Sequence, residues 1–249
     1  LIAELPAPGK ITETKEDPLF GATILTLGNG IKVVLKHTDF KKDEIQMTAT
    51  SPGGSTLFGN KDIDNLKVFN DVIGLGGLGN FSATDLSKML AGKKVSCSTS
   101  LGMDSENVNG SSTPADLKTL FELIYLNFTA PRMDEEAYTS FENRMKAQLK
   151  NLELNPMVAF SDSLTKAIYD NNPRAMRIDA ADFKNISYPR IMEMYKERFG
   201  DASGFVFTFV GNINIDSIRP LAEQYLATLP ANGKIEQGNP KEVPPIRKG

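Results

Sequence analysis

The chain has 249 residues, 40% of them hydrophobic and 24% charged, with a formal net charge of −3. That composition excludes a disordered chain and is long enough to bury one large core or two small ones. Charges of both signs are interleaved and leave no basic stripe for phosphates, which argues against nucleic acid as a partner, and no run approaches the roughly 20 apolar residues of a membrane span.

One cysteine, Cys97, has no internal disulfide partner, and its setting in Val95-Ser96-Cys97-Ser98 predicts a small core or half-buried strand residue. The opening segment Leu1 to Gly9 has no initiator Met, basic region or long apolar core, so it does not read as a signal peptide and the chain reads as an excised fragment. Pro6, Pro8 and Pro18 at the start and Asn239 to Pro245 at the end are proline-rich and polar. They predict linkers over residues 1–20 and 231–249, flanking a single domain at 21–230.

In chain order, Asn29-Gly30 is a turn signal before a strand at Ile31 to Lys36, and Glu44 to Ser51 alternates Ile45, Met47 and Ala49 as a second strand. Their succession predicts an antiparallel pair. Ile63, Leu66, Phe69, Val72 and Ile73 share one face of a helix, which is followed by the glycine loop Gly74 to Gly79. Ser82 with Asp85 resembles a capping box for a short helix through Leu90, with Gly92 as its C-terminal cap.

Two more strands are predicted at Lys94 to Leu101 and Asp104 to Ser111. Thr113-Pro114 then predicts a helix start with proline in the first turn, a device repeated at Asn155-Pro156 and Tyr188-Pro189. Asp134-Glu135-Glu136 opens a helix reaching Leu152, its acids facing the positive end of the dipole. Helices near Pro156 to Tyr169 and Pro189 to Phe199, a central strand at Phe205 to Gly211 and a last helix at Asp216 to Leu229 complete the order. Strands grouped as neighbours and helices in blocks define an α+β class, with an antiparallel or mixed sheet covered on one face by helices.

Candidate chemistry is sparse. Gly74-Leu75-Gly76-Gly77-Leu78-Gly79 satisfies G-x-G-x-x-G, but it follows a helix rather than a strand, so it reads as a flexible helix-to-helix loop rather than a nucleotide site. His37 is the only histidine and reads as a solvated strand-end residue. With no G-x-S-x-G elbow, and one His far in sequence from the one Cys, neither a serine triad nor a common zinc set can be assembled. Glu135-Glu136 and Asp179 with Asp182 read as solvated faces and caps. No catalytic, cofactor-binding or metal-ligating residue is assigned.

Several segments, in order, resemble one domain of the insulinase-type (pitrilysin, processing-peptidase, M16) zinc peptidases. They are Leu27-Gly28-Asn29-Gly30-Ile31-Lys32-Val33-Val34-Leu35, Thr48 to Ser55, Asn127 to Met133 before the helix ending ahead of Asn155-Pro156, and Tyr195 to Phe199 through Phe205 to Ile213. The resemblance covers about residues 21–230. In a catalytic domain of that family, H-x-x-E-H on the helix after the second strand supplies two zinc-binding His and a water-activating Glu, with a Glu ligand on a later helix. Here the matching stretch, Ile63 to Asp71, holds neither His nor Glu, and Gln148 falls near the distal ligand position.

The resemblance therefore implies a non-catalytic domain, similar to the first domain of a degenerate C-terminal half. Its parent would be a zinc metalloendopeptidase enclosing peptides, with zinc in the catalytic domain of the parent and none here. The implied partners are the other domains of the parent chain and peptide substrates, and the implied location is periplasmic or otherwise exported. The alternative from another class is a non-peptidase binding or scaffold module of the same fold. A nucleotide-dependent enzyme using Gly74 to Gly79 is a third reading, requiring saturable nucleotide binding.

Overall fold

The computed structural model describes residues 1–247. Seven strands form one sheet: β1 (Ile11–Asp17), β2 (Ala22–Leu27), β3 (Lys32–His37), β4 (Ile45–Pro52), β5 (Val95–Leu101), β6 (Ser105–Ser112) and β7 (Val206–Gly211), in the order β1-β2-β3-β7-β4-β6-β5. The helices are α1 (Ile63–Val72), α2 (Ala83–Met89), α3 (Leu117–Thr129), α4 (Glu135–Glu153), α5 (Pro156–Ile168), α6 (Tyr188–Phe199) and α7 (Ile215–Leu221). The sheet is mixed, because β7 runs parallel to β3 and antiparallel to β4.

Alternation decides which face is covered. Val33 and Leu35, Met47 and Ala49, Phe207 and Phe209, and Val108 all point to one side and are buried. Helix α3 lies over them: Phe121 stacks on Phe209 with ring centroids 5.0 Å apart, and Phe128 meets Phe205 edge-on at 4.9 Å. The close approach of α3 needs Gly110 on β6, where a Cβ would come within 2.7 Å of the Leu120 side chain and 3.0 Å of the Ser96 carbonyl. On the opposite side β4, β5 and β6 present Gln46, Thr48, Thr50, Asn109, Ser96 and Ser98, an exposed surface of hydroxyls and amides without charge.

Four expectations are corrected. The strands at 32–37 and 45–52 are not neighbours, since β7 enters between them; the Asn29-Gly30 turn instead joins β3 to β2. Sequence distance concealed this, because β7 lies more than 150 residues downstream. The segment 1–20 is not only a linker: it holds β1, a full edge strand whose alternation is masked by its exposed, charged side chains. Pro114 sits in a turn ahead of α3, which begins at Leu117, whereas Pro156 and Pro189 do occupy first turns. The last helix breaks at Leu221 and continues as a π-helical turn at Ala222–Leu226, just after Pro220, which has no N–H to give the ladder.

The C-terminal segment expected as a linker lies along the domain. Asn239 donates its backbone N–H to Thr56 Oγ1 at 2.9 Å, Glu242 pairs with Arg174 at 3.1 Å, and Arg247 N–H reaches the Ile168 carbonyl at 2.8 Å. Glu236 of the same segment pairs with Arg198 at 2.7 Å, and Arg198 lies 3.6 Å from the buried carboxylate of Glu106. Burial pushes the Glu106 carboxyl up, opposed by the Gly54 N–H that it accepts and by Arg198.

Replacing the cation tests this cluster. Arg198→Ala leaves Glu106 buried without its partner and is expected to lower stability by about 3 kcal/mol at neutral pH. Because the folded-state pKa of Glu106 is raised, its contribution is present below the ordinary carboxylate range and lost as pH rises through the folded value. In urea unfolding the deficit of the variant therefore narrows as pH is lowered through that range; a deficit independent of pH would mean that Arg198 acts by packing alone.

Candidate functional site

The helix on which a zinc motif would stand is α1, and its polar groups are already committed. Asp62, at its N-terminus and 3% exposed, takes a two-pronged ion pair from Arg190 of α6, with Nε to Oδ1 at 3.1 Å and Nη2 to Oδ2 at 2.9 Å. The Arg190 guanidinium, with help from Asn65, holds the Asp62 carboxyl below the usual range despite its burial. Asn65 Oδ1 accepts the Ser187 N–H at 2.9 Å. This donor set does not fit zinc, since both oxygens of the one buried acid are spent on an arginine and the neighbouring side chain is an amide.

The residues singled out from sequence are scattered. Gln148 is exposed on α4. His37 bonds the Ile213 carbonyl through Nδ1 and Asp39 through Nε2, both at 2.9 Å, at an exposed strand end. Asp134 caps α4 by accepting from Ala137 N–H, and Asp179 with Asp182 forms a capping box. Among the described residues no three His, Cys, Asp or Glu side chains cluster as metal ligands.

What the fold does assemble is a groove of about 610 Å³ along the free edge of β5. It is lined by Ile73, Leu123 and Tyr195, by Leu86 and Leu90 of α2, and by residues 95–99 of β5. Cys97 lies half-buried in it, with its thiol 3.7 Å from Asn127 Nδ2, and burial pushes that thiol up to about 12. No charged side chain lines the groove.

The glycine run shapes this groove and is not the flexible loop expected from sequence. Gly77 has φ 83°, and a Cβ on Gly76 would meet the Arg132 carbonyl oxygen at 2.0 Å. Backbone bonds from Gly79 N–H to Ala130 O at 2.8 Å and from Arg132 N–H to Gly77 O at 3.3 Å tie the run to the segment before α4, and Arg132 Nη1 donates to Gly76 O at 2.8 Å. These glycines permit backbone to cross backbone. Helix α2, capped by Ser82 accepting from Asp85 N–H, then hangs over the groove with no buried residue of its own.

This architecture is the fold of a peptidase M16 domain, shared at TM-score 0.65 and 19% identity with a peptidase M16 inactive domain from Pseudomonas fluorescens, over 88% of this chain and 54% of that one. The periplasmic protease PqqL from Escherichia coli superposes at TM-score 0.80 and 20% identity, covering 96% of this chain and 26% of that one. The ferredoxin protease FusC, solved with Arabidopsis ferredoxin, superposes at TM-score 0.75 and 22% identity over 96% of this chain and 27% of that one.

In sequence the chain is similar to a zinc protease PQQL-like protein of Arabidopsis thaliana, 27% identical over 92% of the chain, and to a probable zinc protease PqqL of Haemophilus influenzae, 22% identical over 84%. In each case the similarity runs over most of the length of this chain. The chain spans about a fifth of the length of these curated relatives, 22% of each. No family model matches it.

The groove escaped the sequence reading because its signal, a serine-rich edge strand beside a glycine run, lacks any chemical motif. A pair of alanine substitutions separates the two kinds of glycine. Gly76→Ala is expected to cost about 1–3 kcal/mol in urea unfolding by forcing backbone apart. Gly74→Ala, with nothing within 4 Å of its Cβ, stays within about 0.5 kcal/mol of the parent. Equal costs would show that close approach does not explain the run.

Proposed function

We propose that this chain is a non-catalytic domain of a zinc metalloendopeptidase that encloses and cleaves peptides, contributing chamber wall and contacts between the halves of the parent. The observation that carries the reading is α5. It has no buried residue, and Met157, Phe160 and Leu164, spaced along one face, are 71, 64 and 49% exposed, with Leu154 just before it at 83%. A stripe of that kind on a helix held in place by the Arg177–Asp162 ion pair at 2.8 Å is suited to cover by another domain.

The uncharged hydroxyl and amide face of β4, β5 and β6 supports the chamber-wall role, since such a surface contacts varied peptide without selecting charge. Zinc belongs to the catalytic domain of the parent, because the cluster around Asp62 on α1 is committed to Arg190. The similarity to a periplasmic protease supports an exported parent.

The test combines the chain with the remaining segments of its parent. Alone, it is expected to hold no zinc and to show no chelator-sensitive hydrolysis of unstructured peptides; with the remaining segments, both appear. Replacing Met157, Phe160 and Leu164 together by Gln is expected to lower the activity of the mixture by about tenfold or more while leaving the unfolding midpoint of the chain unchanged, because these side chains are exposed. Zinc and hydrolysis absent from every mixture would transfer the protein to the alternative, a binding or scaffold module of the same fold.

A further inference from the structure

Arg174 is held with half of its guanidinium idle. After α5 ends, Asp170 and Asn171 take left-handed backbone at φ 51° and 56°, which Asp and Asn tolerate better than bulkier residues, and Asn172 Oδ1 accepts the Arg174 N–H at 3.0 Å. This turn carries the Arg174 side chain against the loop ahead of α1, where it is 10% exposed. There Nη2 donates to the Phe58 carbonyl and pairs with Glu242 at 3.1 Å, and Nη1 reaches the Ser55 carbonyl at 3.5 Å. Nε is buried and has no acceptor among the described residues.

Other arginines of the fold show what is missing. Arg177 gives Nε and Nη2 to the carboxylate of Asp162, and Arg190 does the same with Asp62. That two-pronged fork is the favoured geometry of a guanidinium with a carboxylate. Arg174 engages its carboxylate through Nη2 alone, and a buried donor left unpaired costs free energy. Its partner Glu242 comes from the C-terminal tail, which is also attached by the Asn239 N–H bond to Thr56 Oγ1.

Beside this arginine lies a cavity of about 270 Å³, smaller than the roughly 300 Å³ at which drug-sized sites begin, so it suits a small ligand. Ile63 and Leu66 of α1 and Leu101 of β5 supply an aliphatic wall, and its charged groups are Lys67, Arg174 and Glu242. Lys67 Nζ is 3.4 Å from Asp64, a long contact that holds this cation weakly. With Glu242 swung out, two cations and the aliphatic wall remain.

We infer that this cavity binds a small monocarboxylate with a compact aliphatic body. The carboxylate takes both Nε and Nη2 of Arg174 in place of Glu242, and the body rests on Ile63, Leu66 and Leu101. Glu242 is thus a built-in competitor, and the tail is a latch that the ligand releases. A peptide's terminal carboxylate behind an aliphatic residue and a free short-chain acid share this chemistry. The site uses residues of this chain alone and stands apart from zinc hydrolysis by the parent.

Titration of the 249-residue chain with N-acetyl-leucine and with isocaproate, followed through the arginine Nε–H NMR signals, tests this. One or both acids are expected to bind saturably and to move the Arg174 signal, whereas N-acetyl-leucinamide, which lacks the charge, binds at least about tenfold more weakly. Binding by N-acetyl-leucine alone identifies a peptide terminus as the source; equal or tighter binding by isocaproate identifies a free acid.

Arg174→Gln is expected to abolish binding. Glu242→Gln, at a half-buried tail position, removes the competitor and is expected to tighten binding about tenfold, as for a site whose open form is about a tenth of the population. Should Arg174→Gln fail to fold, the Glu242 variant decides, because unchanged or looser binding there would overturn the proposal. So would the absence of saturation by either acid, or an amide that binds as well as the acids.

Discussion

The fold depends on β7. A strand that is parallel to β3 on one side and antiparallel to β4 on the other joins the N-terminal three strands to the later three, and among the described residues no other strand pairs with both. Its inward residues, Phe207 and Phe209, sit at the centre of the covered face, where Phe121 of α3 stacks on the second. Until β7 arrives, the two halves of the sheet have no common edge. Phe205 just ahead of it packs against both Phe128 of α3 and Phe199 of α6. Non-local pairing of this kind is entropically costly before it is rewarded, which suits a chain that folds as one cooperative unit rather than as two hairpins.

The start of α1 is used for internal bonding. The polar groups at the start of α1 face α6 and satisfy one another: a buried carboxylate with a guanidinium, an amide with a backbone N–H. Arg190 also reaches Glu197 at 2.8 Å, so the pair belongs to a network that fixes α6 against α1. Buried charges tolerate little else, because separating either partner leaves the other uncompensated. The same α6 carries Tyr195, which lines the groove beside β5.

Two surfaces are left over from that internal economy, and they differ in kind. The α5 stripe is apolar and side-chain based, appropriate to a permanent neighbour. The β5 edge is main-chain based, with the uncharged side chains of Ile73, Leu86, Leu90 and Leu123 beside it. An open strand edge carries a hazard of pairing between copies. Here Asn70 closes one end by bonding both the N–H and the carbonyl of Leu101, and Leu86 and Leu90 of α2 lie beside the rest.

Local features were readable from residues alone. The α1 stripe from Ile63 to Ile73, the caps at Ser82, Asp134 and Asn155, and the apolar run of β7 each follow from interactions within a few residues, and the α+β class follows from their order. The resemblance also lay in the sequence, because it depends on which side chains occur in a few short stretches. Strand order was not readable: which strand meets β3 is decided by burial of Phe207 and Phe209 against α3, a contact between segments some 90 residues apart. Neither was the attachment of β1, which pairs along its length with β2, nor that of the tail after Pro230, held by isolated hydrogen bonds and ion pairs, because the polar side chains of both carry no apolar periodicity. The glycine run looks like a hinge or a phosphate loop in one dimension. Only when Arg132 crosses it does the reason for Gly76 become visible, since a residue with no Cβ is demanded by a neighbour that sequence does not place beside it.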